Sequence, residues 1–522
     1  MTVDGPRDRP LFSLLTPVYN PDLSVLADTI ASVLAQTDPG WEWVLVDDAS
    51  PDERVRVALR SAAAADPRII LIERPENGHI VAASNTGLEH ARGEFVVLLD
   101  HDDLLVPHAL ERVRSVLAAA PDADYLYSDE DKVAGRRQFA AFHKPDWSPT
   151  RLRGHMYTGH VSVLRRSVIQ TVGGFQPGLE GSQDHDLVLR VAERARRVVH
   201  IPEVLYHWRL VAGSTAADPS EKPYAWYAGG RAVDAHLRRL GIGGHAATLP
   251  GRVGYYRHWV DLPPHRSVSV VIAVSGDYRT VGGARMPAFV PALRGVLERT
   301  RHERVDAVIA ADSRVTSREL AVGLNGLTVD THLVRCAATE PLAGRLNAAI
   351  LAATGDVVLI LGERIVPETD GFLERLCGSL EEPGVGLVGP LVLGPANDIR
   401  YAGHRHHHGR YDHAFAGATH REQGSWASLW VAREVSGLAL AAVAVRREDL
   451  LAVGGVCEVL PGPAAEVDLS LKLRAVGKRL IWLPDVWART DEPIHDRTVD
   501  AAAAQALIAR WGEPRWDSYL PD

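Results

Sequence analysis

Along roughly the first hundred residues, unbroken apolar runs alternate with stretches in which apolar residues recur every three or four positions. The runs predict strands buried on both faces, and the periodic stretches predict amphipathic helices. The strands are LFSLLTPV, WEWVLV, RIILIE and FVVLL, and the helices run from Leu23 to about Gln36, on to about Ala65, and through His90. This βαβαβα order predicts a doubly wound α/β sheet. Polar residues gather where each strand ends: Thr16 to Asn20, Asp47 and Asp48, Asn77 and Gly78, and Asp100 to Asp103. Ligands of open α/β sheets sit at the carboxyl ends of the strands, so these termini describe a lined pocket.

The pattern restarts at VSVVIAVS, after GRVGYYRHWVDLPPHRS. Residues 1–250 and 267–522 are therefore expected to form two tandem modules joined by a linker at 251–266. Landmarks recur in order. Asn85 and Gly93 find counterparts in Asn347 and Gly355, GGF at Gly173 in Gly454 and Gly455, and Asp184 and Asp186 in Glu466 and Asp468. The second copy departs where the first is acidic: VVLIL ends in Gly362, Glu363 and Arg364, and Arg489 stands opposite His207. Arginines repel a metal ion, so the second module is expected to be degenerate, with activity in both modules as the alternative. The histidine-rich run His404 to His408 is expected in a surface hairpin, because consecutive histidines in regular structure do not converge on one ion.

Composition narrows the partners. With 522 residues and 46% hydrophobic content, the chain can bury more than one core. A formal net charge of -9 argues against nucleic acid as a partner. Cys336, Cys377 and Cys457 lack metal-type spacing, which points to a reducing cytoplasm. MTVDGPRDRP has no apolar leader pattern, and no apolar run reaches the roughly 18 residues of a membrane span. Peripheral contact at the inner face of a membrane stays open.

Asp100, Asp102 and Asp103 crowd negative charge at the end of a buried strand. A divalent cation that keeps positions for phosphate oxygens would relieve the repulsion, and an acidic helix cap is the plainer alternative. Asp184 and Asp186 precede an amphipathic helix beginning near Leu187. Asp184 could serve as a general base, or both could load the helix N-terminus with favourable charge. In LYHWRLVAGST, His207 could ligate a cation or pack between its aromatic neighbours, Arg209 suits contact with phosphate oxygens, and Gly213, Ser214 and Thr215 read as a loop able to close over a ligand. Between the clusters, Lys144, Trp147, His155, Tyr157 and His160 offer rings and hydrogen-bonding groups. Trp and Tyr are equally ordinary core residues with a polar tip.

TPVYN, VLVDDAS, NGHIVAASNTGLEHARGE and LLDHDD, with the later YSDEDK, GGF, GSQDHDLVLR and LYHWR, resemble the nucleotide-sugar-binding half of a family 2 glycosyltransferase of the GT-A fold. The likeness covers about the first 240 residues. The second half resembles the second module of two-module transferases of bacterial surface-polysaccharide synthesis. The resemblance implies a GT-A type doubly wound mixed sheet in two tandem modules. It further implies inverting transfer of a sugar from a nucleoside-diphosphate sugar to a hydroxyl of a glycan or lipid-linked glycan, with Mn2+ or Mg2+ as cofactor. Carried over residue by residue, it sets Asp48 at the nucleobase, Thr16, Pro17 and Tyr19 in the base-binding turn, and Asn77 in the donor pocket. It sets Asp100 at the ribose, Asp102 and His207 on the metal, Arg209 at the diphosphate and Asp184 as the base, with Glu180, Lys144, Trp147 and Tyr157 toward the acceptor. A glycan-binding scaffold without turnover is the alternative of another class, but it would give no reason to assemble Asp100, Asp102, Asp184 and His207. A processive membrane synthase disagrees with the missing spans and with the spacing of Gln505 from Arg510 and Trp511.

Overall fold

The computed structural model describes residues 9–135, 137–210, 223–492, 499–514 and 516–521. The first sheet comprises β1 (Phe12–Val18), β2 (Trp41–Asp47), β3 (Ile69–Glu73), β4 (Phe95–Leu98), β5 (Leu104–Leu105), β6 (Tyr125–Ala134), β7 (Arg137–Phe142), β8 (Ser162–Arg165) and β9 (Val198–Arg209). Its order is β3-β2-β1-β4-β8-β6-β9-β5, with β7 beside β6. The strands β1 to β4 pair in parallel, whereas β8 runs antiparallel to β4 and β6, so the sheet is mixed. Along β2 successive side chains enter opposite cores: Trp41, Trp43 and Leu45 on one face, Val44 and Val46 on the other. Burial on both faces explains why these strands are apolar without interruption.

Within the expected linker, β11 (Tyr256–Val260) pairs antiparallel with β10 (Gly244–Thr248), which precedes it. The second half continues with β12 (Val268–Val274), the hairpin β13 (Tyr278–Val281) and β14 (Ala284–Pro287), β15 (Val305–Asp312), β16 (Asp330–Cys336), β17 (Val357–Leu361) and β18 (Ile365–Pro367). It ends with β19 (Val385–Leu393), β20 (Ile399–Tyr401), β21 (His404–His407), β22 (Arg410–His413), β23 (Arg433–Glu434), β24 (Ala442–Arg446) and β25 (Arg479–Thr490). The second sheet, β16-β15-β12-β17-β24-β19-β25-β18, reproduces the first strand for strand, with β20 in the place of β7 and β23 added on β25.

The repeated landmarks make the same bonds. Asn85 Nδ2 donates to Phe175 O (2.9 Å) while its Oδ1 accepts from Phe175 N (2.9 Å); Asn347 does the same with Val456 (2.8 and 2.9 Å). Gly93 N donates to Ser13 Oγ (2.7 Å) and Gly355 N to Ser269 Oγ (2.9 Å). A Cβ on either glycine would stand 2.6 Å from a backbone nitrogen of the first strand, so both positions require glycine.

The two halves meet at the helix Pro149–Gly154, which lies on β23. Arg153 pairs with Glu382 through both terminal nitrogens, one at 3.0 Å. Arg479 bridges Glu382 and Glu434, standing 2.7 Å from the latter, and Glu434 accepts from the hydroxyls of Ser148 and Thr150 (2.7 Å for Thr150). Burial alone would push the Glu382 carboxyl up, but Arg153 and Arg479 prevail and hold it at about 2. Arg151 donates to Trp426 O (2.8 Å), and the Trp426 ring stacks on Phe142 at 4.3 Å. Among the described residues, no helix is long and apolar enough to cross a membrane.

Candidate active site

The acidic turn after β4 is built in two tiers. Asp103 is buried, accepting Tyr206 Oη (2.7 Å) and Arg209 N (2.7 Å), so β9 pins it beneath the turn. Burial, then the charges of Asp100 and Asp102, push its carboxyl well above the usual carboxylate range. Asp102 is also raised, first by burial, with Asp100 adding to it and His101 and His160 opposing it. Above them, Asp100 is partly exposed and lies 3.8 Å from His160 Nε2. The His160 ring stacks on Tyr206 at 4.6 Å, and its buried Nδ1 has no hydrogen-bond partner among the described residues.

Asp100, Asp103 and His160 each offer one ligand atom, and these atoms lie within 4.8 Å of one another. Two carboxylates and an imidazole are a donor set that a divalent cation satisfies. The sequence expectation placed Asp102 and His207 on the metal, whereas the ligand atoms that converge here belong to Asp100, Asp103 and His160. His207 is the register partner of Asp131 across β6 and β9, and its Nδ1 stands 2.5 Å from Asp131 Oδ1. A carboxylate on Nδ1 orients the ring and leaves Nε2, 3.2 Å from Gln138 Nε2, as the nitrogen that could meet an ion. Arg209 does reach the turn, donating from Nε to Asp102 O (2.8 Å) and facing Asp28 at 3.2 Å.

The strand ends expected to hold the nucleoside are neighbours, but their side chains divide. Asp48 is buried at the end of β2, ion-paired with Arg74 and accepting Gly78 N (3.0 Å). Tyr19 is half exposed just beyond β1, whereas the Thr16 hydroxyl faces the core and accepts Trp43 Nε1 (2.9 Å), so it is removed from any ligand. Pro17 presents its carbonyl 3.2 Å from His101 Nδ1, and Asn77 accepts His79 N (3.1 Å) at the start of the next helix.

Asp184 lies in the first turn of the helix Gln183–Ala192, where the N-terminal dipole favours an anion. Burial, with the charge of Asp184 adding to it, raises the hydroxyls of Tyr125 and Tyr256, the latter to about 12, so both stay neutral near it. Asp186 is buried and bonded to Arg190 (2.6 Å), a packing role. Glu180 and Trp147 remain partly accessible; Trp147 packs edge-on to Tyr125 at 6.3 Å.

Two residues expected at the acceptor are core residues. Lys144 is fully enclosed, its ammonium donating to Glu130 (2.9 Å), Thr158 O (2.7 Å) and His160 O (2.6 Å). Tyr157 is buried and its hydroxyl accepts Ser148 N (2.9 Å). A cation this deep is tolerated because every ammonium proton has an acceptor, and one of them fixes the backbone of His160. His155 is half-buried, its Nε2 3.4 Å from Arg151 Nε. Nothing in the spacing of the sequence marked His160 as a member of the acidic cluster, or Arg74 as the partner of Asp48. Gly213, Ser214 and Thr215 lie outside the described residues.

At the equivalent end of β17 the described carboxylates do not converge as metal ligands. Glu363 accepts Ser275 N (3.1 Å) and Ser275 Oγ (2.5 Å), Arg364 makes a two-pronged pair with Asp491 (2.9 and 2.8 Å), and Arg489 pairs with Glu368 (2.8 and 3.2 Å).

The model for glycosyl transferase family 2 matches residues 13–173. The chain is 35% identical over 497 residues to "Uncharacterized protein y4gI" of Sinorhizobium fredii, covering 92% of this chain and 53% of that protein. It is 32% identical over 539 residues to "O-antigen biosynthesis protein RfbC" of Myxococcus xanthus, covering 98% of this chain and 40% of that protein. It thus spans about half the length, or less, of these two relatives. It is also 31% identical over 207 residues to "Putative glycosyltransferase EpsE" of Bacillus subtilis, covering 38% of this chain and 73% of that protein. Among solved structures, TarS 1-349 of S. aureus in complex with UDP-GlcNAc aligns with a TM-score of 0.36 at 19% identity, over 43% of this chain and 66% of that one.

Proposed function

This chain belongs to glycosyl transferase family 2, and from that premise we propose that its N-terminal module transfers a sugar, with inversion, from a nucleoside-diphosphate sugar to a glycan hydroxyl. The acceptor is a glycan or lipid-linked glycan of surface-polysaccharide synthesis, met in the cytoplasm or at the inner face of the membrane. The convergence of Asp100, Asp103 and His160 at the carboxyl end of β4 carries this reading. Those residues, with Asp102 beside them, would hold Mn2+ or Mg2+. When bound, such an ion supplies the positive charge against which a nucleoside diphosphate departs. Arg209 adds charge on the same side of the turn, and Asp48, Tyr19 and Asn77 receive the nucleoside.

Asp184 takes the proton of the acceptor hydroxyl as its oxygen attacks the anomeric carbon. The bond from that carbon to the diphosphate oxygen breaks on the opposite face. Glu180 and Trp147 border the acceptor. The C-terminal module serves architecture rather than transfer; the pairing of Arg364 with Asp491 and of Arg489 with Glu368 at the end of β17 supports this, because it sets arginines where the first module has carboxylates.

Incubation with a panel of nucleoside-diphosphate sugars and glycan acceptors should give a product of inverted configuration, with turnover abolished by EDTA. A product of retained configuration, or undiminished turnover in EDTA, would overturn the scheme. Asp100→Asn should weaken Mn2+-dependent donor binding by about tenfold or more, read by calorimetry. Equal binding by parent and variant would remove Asp100 from the ion site.

A further inference from the structure

The histidine-rich run of the second module forms the expected hairpin, but half of it faces inward. Along β21 the side chains alternate, so His404 and His406 are buried while Arg405 and His407 are more open. His404 is the register partner of His413 on β22, and their rings meet edge to face at 4.8 Å. The hairpin packs against the helix Gly462–Ala475, with Tyr411, Ala464 and Val467 in one small apolar cluster. From that helix Glu466 brings its Oε2 to 3.9 Å from His404 Nε2. One ligand atom from each of His404, His413 and Glu466 lies within 4.8 Å of the others.

A second observation points the same way. His404 is only 3% exposed, and neither of its ring nitrogens has a hydrogen-bond partner among the described residues. An imidazole always carries at least one N–H, and leaving both nitrogens dry is unfavourable unless something else occupies them. Gly437 gives the ring its room, since a Cβ there would stand 2.7 Å from His404 Nδ1, while the Gly437 carbonyl accepts His404 N (2.8 Å). The opposite nitrogen, Nε2, is the one that faces Glu466.

From this geometry we infer that His404, His413 and Glu466 bind a zinc-class divalent cation, which ties the β21–β22 hairpin to the Gly462–Ala475 helix. Two imidazoles and one carboxylate favour Zn2+ over Mg2+ or Ca2+. Tetrahedral ligation at about 2.0–2.1 Å places ligand atoms about 3.4 Å apart, so side-chain rotations that contract the present set by about an ångström would close the site. Three protein ligands leave a fourth position for water. Glu466 is the sequence counterpart of Asp184, so the position that serves as a base in one module serves as a ligand in the other. A carboxylate coordinated in this way is no longer available to take a proton, and the site stands whether or not the N-terminal module transfers sugar.

The test is calorimetric titration of the EDTA-stripped full-length chain with Zn2+ alone, carried out in an Asp100→Asn background to weaken the N-terminal cluster. One equivalent of Zn2+ should bind, raising the melting temperature, and both Glu466→Gln and His413→Ala should weaken that binding at least tenfold. Glu466→Gln keeps the side-chain shape and decides the matter if His413→Ala does not fold. Zn2+ binding of the same stoichiometry and affinity in Glu466→Gln, or no Zn2+ binding by the unsubstituted set, would overturn the inference.

Discussion

Asp184→Asn should lower the turnover of sugar transfer by about a hundredfold or more while changing donor affinity only a few-fold. Asparagine preserves the shape and the hydrogen bond that Asp184 Oδ1 accepts from His185 N (2.8 Å), but it cannot take a proton from an attacking hydroxyl. Asp186 cannot substitute, because its carboxylate is bonded to Arg190 inside the core. The measurement is steady-state transfer at saturating acceptor together with donor titration. Near-normal transfer would reject Asp184 as the base and move attention to Glu180, which is more open and stands just before the same helix.

Arg153→Ala should destabilise the folded chain by about 3–5 kcal/mol, because it leaves the buried Glu382 facing the interface with one of its two arginines gone. Denaturant unfolding would read the loss as a fall in midpoint, and a parent-like midpoint would show that the network does not hold the halves together. The same network gives a pH signature. The folded-state pKa of Glu382, about 2, lies below its ordinary value of 4.5, so its contribution is fully present above about pH 4.5 and is lost as pH falls toward 2. At 1.36 kcal/mol per unit the full effect is about 3 kcal/mol. A Glu382→Gln chain should therefore lose less stability than the parent between pH 4.5 and pH 2.

Much of the fold was legible because the evidence for it is local. Strands buried on both faces leave unbroken apolar runs, and the acidic residues beyond FVVLL mark where such a strand surfaces. The duplication was legible for a similar reason: Asn85 with Gly93, and Asn347 with Gly355, are held by short-range steric and hydrogen-bonding demands that few residue types meet. The converging sets were not legible. His160 reaches Asp100 through a loop whose composition does not encode its path, and the partnership of His207 with Asp131 depends on the register of two strands far apart in sequence. Lys144 and Tyr157 looked like acceptor groups because a charged or phenolic side chain usually keeps its tip in water; here the tips found internal partners. The histidine pair required knowing the hairpin register, which places His404 opposite His413 instead of beside its chain neighbours.

The helix Pro149–Gly154 belongs by sequence to the first half, yet its Ser148, Thr150, Arg151 and Arg153 contacts are completed by the second. The same short segment lies between Lys144, which grips the carbonyl of His160, and His160 itself. The C-terminal half thus acts as a jig: it helps set the path of the chain that delivers an imidazole to the acidic turn of its neighbour. Severing the chain between the sheets would not release a smaller enzyme. It would strand two arginines and two hydroxyls at a raw surface and slacken the segment that leads to His160.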